Sequence, residues 1–325
     1  MSVLVNKTNF RITFSFLVFL LIVVYFRPVE KPKIFQESDV LGETAAPSPS
    51  IFGGGDISLS PILEDSPILD EKLAPSVSAK SVLVLDLVSG STIYEKNSHS
   101  SYPPASLTKI TTALVAIEEY SPDEIVTVPS VCLGLEGNNM GLLEGERVSV
   151  ADLLRGLLIF SSSDAACALA NHIGDPSVFV AEMNTYAIRT GLTDTVYLNP
   201  IGLDQMGHVS SAYDIAILSR NLLDNDFLSQ IVNKLRFQFT NQLGESRSFD
   251  NTNLLLSKMR GVTGVKTGYT SQAGGCLSLS FGREGRKLLI VILGSIDYDP
   301  LGNIDYDTRF EEAADLVNWA VEVVE

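Results

Sequence analysis

Pro104-Ala105-Ser106-Leu107-Thr108-Lys109-Ile110 opens a run in which the apolar residues Ile110, Leu114 and Ile117 recur at helical spacing. With Pro103 and Pro104 just upstream, the pattern predicts a helix that starts near Leu107 and buries one stripe. Ser106 and Lys109, three residues apart, then share a helix face about one turn from each other. A serine hydroxyl becomes a useful nucleophile when a neighbouring base takes its proton. A lysine amine held dry can be that base, because desolvation lowers its pKa. The helix N-terminus adds free N–H groups that favour negative charge developing on oxygen. An N-capping serine followed by a surface lysine has the same spacing, so the rest of the chain decides between the two.

Two later stretches carry matching chemistry. Phe160-Ser161-Ser162-Ser163-Asp164 falls in the break between two predicted helices. Val265-Lys266-Thr267-Gly268-Tyr269-Thr270 reads as a strand, in which Gly268 would let a ligand's backbone approach closely. Lys266 supplies positive charge there, and Thr267 a hydroxyl able to bind a carboxylate. The segment Gly261 to Thr267 lacks the glycine–lysine adjacency of a phosphate loop. Around these stretches, Ser81–Leu87 and Ser91–Glu95 flank Ser89-Gly90 as a hairpin. From about Pro122 to Asn225 the pattern is mostly helical, with Ser149 and Ser211 as helix starts and Gly191 as a stop. Strand signals return from Phe237, in Gly264–Thr270, Cys276–Phe281 and Leu288–Leu293. A last amphipathic helix carries Phe310, Ala313, Val317, Val321 and Val324. Strands at both ends with helices between them predict an α+β domain: one antiparallel sheet built from both termini, flanked by helices, with a mostly helical lobe inserted.

Residues upstream of this domain bear on where the chain works. Ile12 to Phe26 is a charge-free apolar run of 15 residues bounded by Lys7, Arg11 and Arg27. It is shorter than the roughly 20 residues that span a bilayer comfortably. Without a small-residue cleavage site nearby, residues 1–27 read as a cytoplasmic tail and signal anchor, with a cleaved signal peptide as the alternative. Residues 28–75, rich in Pro, Ser, Gly and acidic groups, read as a flexible tether with a reach on the order of 35–40 Å. Residues 76–325 then form the exported domain. A net charge of −16, from 39 acidic and 23 basic residues, with no basic stripe, argues against nucleic acid as a partner. His99, His172 and His208 are scattered, and Cys132, Cys167 and Cys276 form no Cys-x-x-Cys, so neither a metal nor a cofactor is expected. The three cysteines leave room for one disulfide and an odd thiol.

Ser-x-x-Lys, a Ser-x-Ser turn and Lys-Thr-Gly in this order resemble the serine D-alanyl-D-alanine carboxypeptidases, the low-molecular-mass penicillin-binding proteins. The resemblance runs from about Pro75 to Glu325 and includes Asp164-Ala-Ala166, Asn199-Pro-Ile-Gly-Leu203 and Gly264 to Gly274. It implies a β-lactamase/DD-peptidase-like fold at the outer side of a bacterial membrane. It also implies a peptidoglycan stem peptide ending in D-Ala-D-Ala as substrate, and β-lactams as covalent inhibitors. By the same resemblance Ser106 is the nucleophile, Lys109 its base, and Ser161 a proton relay to the leaving amine. Lys266 and Thr267 take the terminal carboxylate, while Ser163, Gly268 and Tyr269 line the substrate, with the Ser106 and Tyr269 N–H groups as oxyanion hole. One position departs from the family pattern: Ser163 stands where asparagine is usual, exchanging a group that donates and accepts for a shorter hydroxyl. Restoring asparagine there is expected to improve turnover. The alternatives are a DD-endopeptidase acting on cross-links, a β-lactamase, or a weakly active wall-binding homologue. The β-lactamase would need a deacylating carboxylate, for which no Glu-x-x-Leu-Asn follows the second motif.

Overall fold

The computed structural model describes residues 74–298, 304–305 and 307–323. The expected anchor at 1–27, and the tether up to residue 73, lie outside them. Among the described residues no helix is long and apolar enough to cross a membrane.

The sheet is antiparallel and contains β1 (Ser81–Asp86), β2 (Thr92–Lys96), β7 (Val262–Thr270), β8 (Gly274–Arg283) and β9 (Arg286–Ser295) in the order β2-β1-β9-β8-β7. Both chain ends build it, as expected: β1 lies against β9, pairing Val82 with Ile292 and Val84 with Ile290. Side chains alternate across a strand. Thus Val82, Val84, Leu288, Ile290 and Ile292 enter one apolar cluster, while Leu83, Leu85, Leu289, Val291 and Leu293 enter another. Two covered faces explain why Leu288 to Leu293 is apolar throughout rather than alternating.

One face is covered by the C-terminal helix, Thr308–Val323, through Phe310, Ala313, Leu316, Val317 and Ala320. Glu312 of that helix accepts hydrogen bonds from the Ser78 and Ala79 amides, which ties the start of the domain to its end. The other face carries the inserted lobe. It comprises α1 (Thr108–Glu119), α2 (Val150–Arg155), α3 (Ser163–His172), α4 (Pro176–Arg189), α5 (Ala212–Asp224) and α6 (Asp226–Val232). Ser149 and Ser211 cap α2 and α5 by accepting from the Asp152 and Asp214 amides, in line with the spacing. Gly191, with φ at +74°, ends the helix before it.

The stretch expected to be mostly helical also contains β3 (Ile125–Thr127) paired with β4 (Arg147–Ser149), joined through a long irregular loop. Three-residue strands are too short to show a period, so the sequence pattern does not reveal them. A further hairpin, β5 (Arg236–Thr240) with β6 (Ser246–Asp250), returns the chain to β7. Cys132, just after β3, is bonded to Cys167 in α3, and Cys276 is left as a buried free thiol.

Candidate active site

The three motifs converge where the start of α1, the turn before α3 and the edge strand β7 meet. Ala105–Leu107 forms a 3-10 turn ahead of α1, so the helix expected from Leu107 opens one residue later, at Thr108. Ala105 holds a left-handed φ of +48°, a costly conformation for a residue with a side chain, immediately before Ser106. A chain of polar contacts stands behind that carbonyl. The Leu198 amide donates to Nδ1 of buried His208 at 3.0 Å, which leaves the ring proton on Nε2. Nε2 lies 2.8 Å from Thr108 Oγ1, whose own proton goes to the Ala105 carbonyl at 2.8 Å. Burial holds the His208 pKa down to about 4, so the ring stays neutral.

Lys109 is buried, with its Nζ 3.1 Å from Ser106 Oγ and 2.8 Å from the Ile201 carbonyl. Desolvation lowers its pKa to about 7, opposed in part by the charge of Asp164. The Ile201 carbonyl is set by Asn199, whose Oδ1 accepts from the amides of Ile201, Gly202 and Leu203. Gly202 is required at this point: a Cβ there would sit 2.0 Å from the Ala105 carbonyl oxygen.

Motif two follows a π-helical turn, Gly156–Phe160. Ser161 is left-handed at φ +65°, and Ser162 precedes α3. Ser163 is buried, and its amide donates to the Asn138 carbonyl at 2.7 Å. Asp164 takes the backbone of the neighbouring loop: its two oxygens accept from the amides of Met140, Gly141, Leu142 and Ala165.

On β7, Lys266 is buried with Nζ 2.8 Å from the Thr267 carbonyl. Desolvation first, then the charges of Lys109 and Arg309, push its pKa well down. Gly268 admits the Ser106 turn: a Cβ on it would lie 3.0 Å from the Ser106 nitrogen and 3.1 Å from the Ala105 Cβ. The close approach expected for a ligand is thus made by the Ser106 turn, whose backbone packs against the edge strand. Tyr269, next along, is partly exposed.

Three further groups at the site lie outside every motif. Thr252 accepts a 2.7 Å hydrogen bond from Thr267 Oγ1. Arg309, at the start of the C-terminal helix, has buried Nε and Nη1 atoms with no hydrogen-bond partner among the described residues. Its guanidinium stacks on Phe310 at 4.7 Å, and its charge acts on Lys266. His208, in the sequence merely one of three scattered histidines, is the third. Sequence reasoning misses all of them, because each acts through placement by a distant element. Lys109, Lys266 and Arg309 bring three basic groups within electrostatic reach of one another in a chain whose net charge is −16. Among the described residues no His/Cys/Asp/Glu group could hold a metal ion.

Comparison with known proteins gives this geometry its relatives. The family model described as D-alanyl-D-alanine carboxypeptidase matches residues 70–296. The D-alanyl-D-alanine carboxypeptidase DacF of Bacillus subtilis is 34% identical over 223 residues, covering 67% of this chain and 57% of the relative. DacC of Escherichia coli is 34% identical, over 76% of this chain and 62% of its own length. The chain thus spans about three-fifths of these curated relatives. Among solved structures, a D-alanyl-D-alanine carboxypeptidase of Mycobacterium tuberculosis superposes with a TM-score of 0.71 at 31% identity, over 77% of this chain and 93% of that one. The Streptomyces K15 DD-transpeptidase gives 0.71 at 25% identity, over 77% and 99%. With the three motif-bearing elements packed against one another and a family match across most of its length, the chain belongs to the D-alanyl-D-alanine carboxypeptidase (S11 peptidase) family.

Proposed function

We propose that the protein is a serine DD-carboxypeptidase that removes the terminal D-Ala from peptidoglycan stem peptides. The observation that carries this reading is the dry Lys109 amine, 3.1 Å from the Ser106 hydroxyl and with a pKa near 7. In the neutral state Lys109 takes the Ser106 proton as Oγ attacks the penultimate D-Ala carbonyl. The oxyanion accepts hydrogen bonds from the Ser106 and Tyr269 amides. Ser161 passes the proton to the departing D-Ala amine as the peptide C–N bond breaks, leaving an ester on Ser106. Water then attacks the ester, returning the serine proton and releasing the shortened peptide. Lys266 and Thr267, with Arg309 behind them, receive the substrate's terminal carboxylate. That anion would offset the burial that disfavours a charged Lys266. Ser163 and Gly268 line the substrate beside them.

A β-lactam presents a carboxylate and a strained acyl group to the same atoms, so it acylates Ser106 and leaves slowly. Asp164, the carboxylate whose charge reaches Lys109, commits its oxygens to four backbone amides and is not available to activate a deacylating water. This observation favours a peptidase over a β-lactamase. The Cys132–Cys167 disulfide supports work outside the cytoplasm, where such bonds persist. The apolar run Ile12 to Phe26 is the proposed anchor, residues 28–75 the tether, and residues 76–325 the catalytic domain.

The test is mass spectrometry after incubation with a pentapeptide ending in D-Ala-D-Ala and with a cross-linked dimer. Loss of one alanine from the pentapeptide, abolished in Ser106→Ala, is the expected result. Cleavage of the dimer alone would establish an endopeptidase instead. Intact peptides together with rapid destruction of penicillin would establish a β-lactamase.

A further inference from the structure

Thr252 lies outside all three motifs, in the segment between β6 and β7, yet it touches the third and the backbone just ahead of the second. Its amide donates to the Ile159 carbonyl at 3.0 Å, two residues before Ser161. Its hydroxyl accepts from Thr267 Oγ1 at 2.7 Å. The segment is pinned from both flanks. Asn251 Nδ2 donates to the Lys234 carbonyl at 2.9 Å, and Asn253 Nδ2 to the Gly264 carbonyl of β7 at 3.1 Å. The hydroxyl of Thr252 is therefore held by main chain on either side, not by a flexible stem.

A threonine hydroxyl has one proton to give. In the free protein Thr267 gives its proton to Thr252, so that proton is not aimed at the cleft. For Thr267 to donate to a substrate carboxylate, its proton must swing away, and its oxygen then has an acceptor site facing Thr252. Thr252 has its own proton to fill that site. We infer that Thr252 is a positioning residue that works as a reversible hydroxyl pair with Thr267. It accepts from Thr267 in the free enzyme and donates to it once a carboxylate is bound, so that Thr267 Oγ1 stays oriented and polarised toward the anion. Chains of hydroxyls reinforce one another in this way. No bond other than hydrogen bonds is made or broken, and no proton leaves the pair. This inference rests on the proposed role of Thr267 as the carboxylate donor and adds the group that governs it.

The contact matters only for substrates that carry the anion, which separates it from a purely structural role. Steady-state kinetics are measured on two forms of one peptide ending in D-Ala-D-Ala, the free acid and the C-terminal amide, for the wild type, Thr252→Val, Thr252→Ser and Thr267→Val. Expected for Thr252→Val is a fall in kcat/KM for the acid of about 3–10-fold, the net effect of one hydrogen bond, expressed in KM. The amide should change by less than about twofold, which also reports that the variant is folded. Thr252→Ser, which keeps the hydroxyl, should restore the wild-type preference for the acid. The inference is overturned if Thr252→Val keeps the full acid-over-amide preference while Thr267→Val loses it, a result that leaves the role of Thr267 standing. Equal loss on acid and amide, not rescued by serine, overturns it in favour of a structural role. If Thr267→Val itself keeps the preference, the carboxylate reading fails, and the positioning role of Thr252 fails with it.

Discussion

Acylation of Ser106 should follow the titration of Lys109. The perturbation is pH, and the magnitude comes from the burial that brings the amine down to about 7 from an ordinary 10.5. Only the neutral amine can take the serine proton. Its fraction is about 1% two units below the pKa and about 99% two units above. The second-order rate of Ser106 labelling by a fluorescent penicillin should therefore rise roughly tenfold per unit from pH 5, bend near 7, and plateau above about 8. The charge of Lys109 in turn helps hold the Lys266 pKa down, after burial, which is the larger cause. A lysine with an ordinary pKa would show no plateau by pH 9. Continued tenfold steps up to that pH would refute the dry-amine base, as would a profile flat through 7. Stability gives an independent check with a definite sign. Between about 7 and 10.5 the unfolded chain holds the Lys109 proton more tightly than the folded one, so stability rises with pH across that window. Below pH 7 the full cost of burying the charged form is on the order of 5 kcal/mol. Lys109→Met should accordingly abolish labelling and raise the melting temperature, more at pH 6 than at pH 9.

Two further substitutions probe the surroundings of Ser106. Ser163→Asn should lower activity, contrary to the gain that family resemblance suggests. Ser163 is buried, so a larger amide overpacks at about 1–3 kcal/mol against about 1 for a regained hydrogen bond. A rise in kcat/KM with unchanged melting temperature would show that the pocket has room. Replacing both Cys132 and Cys167 by serine opens a loop with a sequence separation of 35, worth about 4 kcal/mol of stability in the chain-entropy account. Calorimetry should show melting roughly 8–15 °C lower for a domain of this size, with Ser106 labelling retained at 25 °C. Unchanged melting would mean that the unfolded chain is already constrained.

How much of this could be read from the chain depends on how each group reaches the site. Ser106 and Lys109 sit one helical turn apart, so their meeting follows from local geometry alone. Lys266, Thr267 and Gly268 lie on one strand, and their strand pattern is plain. The sheet was legible because apolar runs at both ends of the domain could only bury their two faces together. Asp164 is visible as the neighbour of Ser163, but not its four amide contacts, because three of the partners come from an irregular loop 22 to 24 residues upstream. His208 and Arg309 are invisible for the same reason. Nothing local distinguishes a histidine 100 residues from Thr108 from any other core imidazole. The β3–β4 pair escapes because three residues hold no period.

These unread contacts share one physical task. The first and third motifs hold groups that need outside support: Ala105 left-handed, Lys109 desolvated, Thr267 with a single proton to place. Motif residues do not hold such states by themselves, since strain and dry charge relax unless neighbours over-determine them. His208 through Thr108 fixes the Ala105 carbonyl, Asn199 through the Ile201 carbonyl fixes Lys109, and Thr252 fixes Thr267. All three supporting groups are uncharged, which is consistent with the electrostatics of the cleft. An acidic partner in their place would raise the Lys109 pKa and favour its charged form. Neutral supports orient these groups without adding charge beside the amine. A carboxylate at Asn199 would break this arrangement, because it would add a negative charge beside the amine whose low pKa makes it a base.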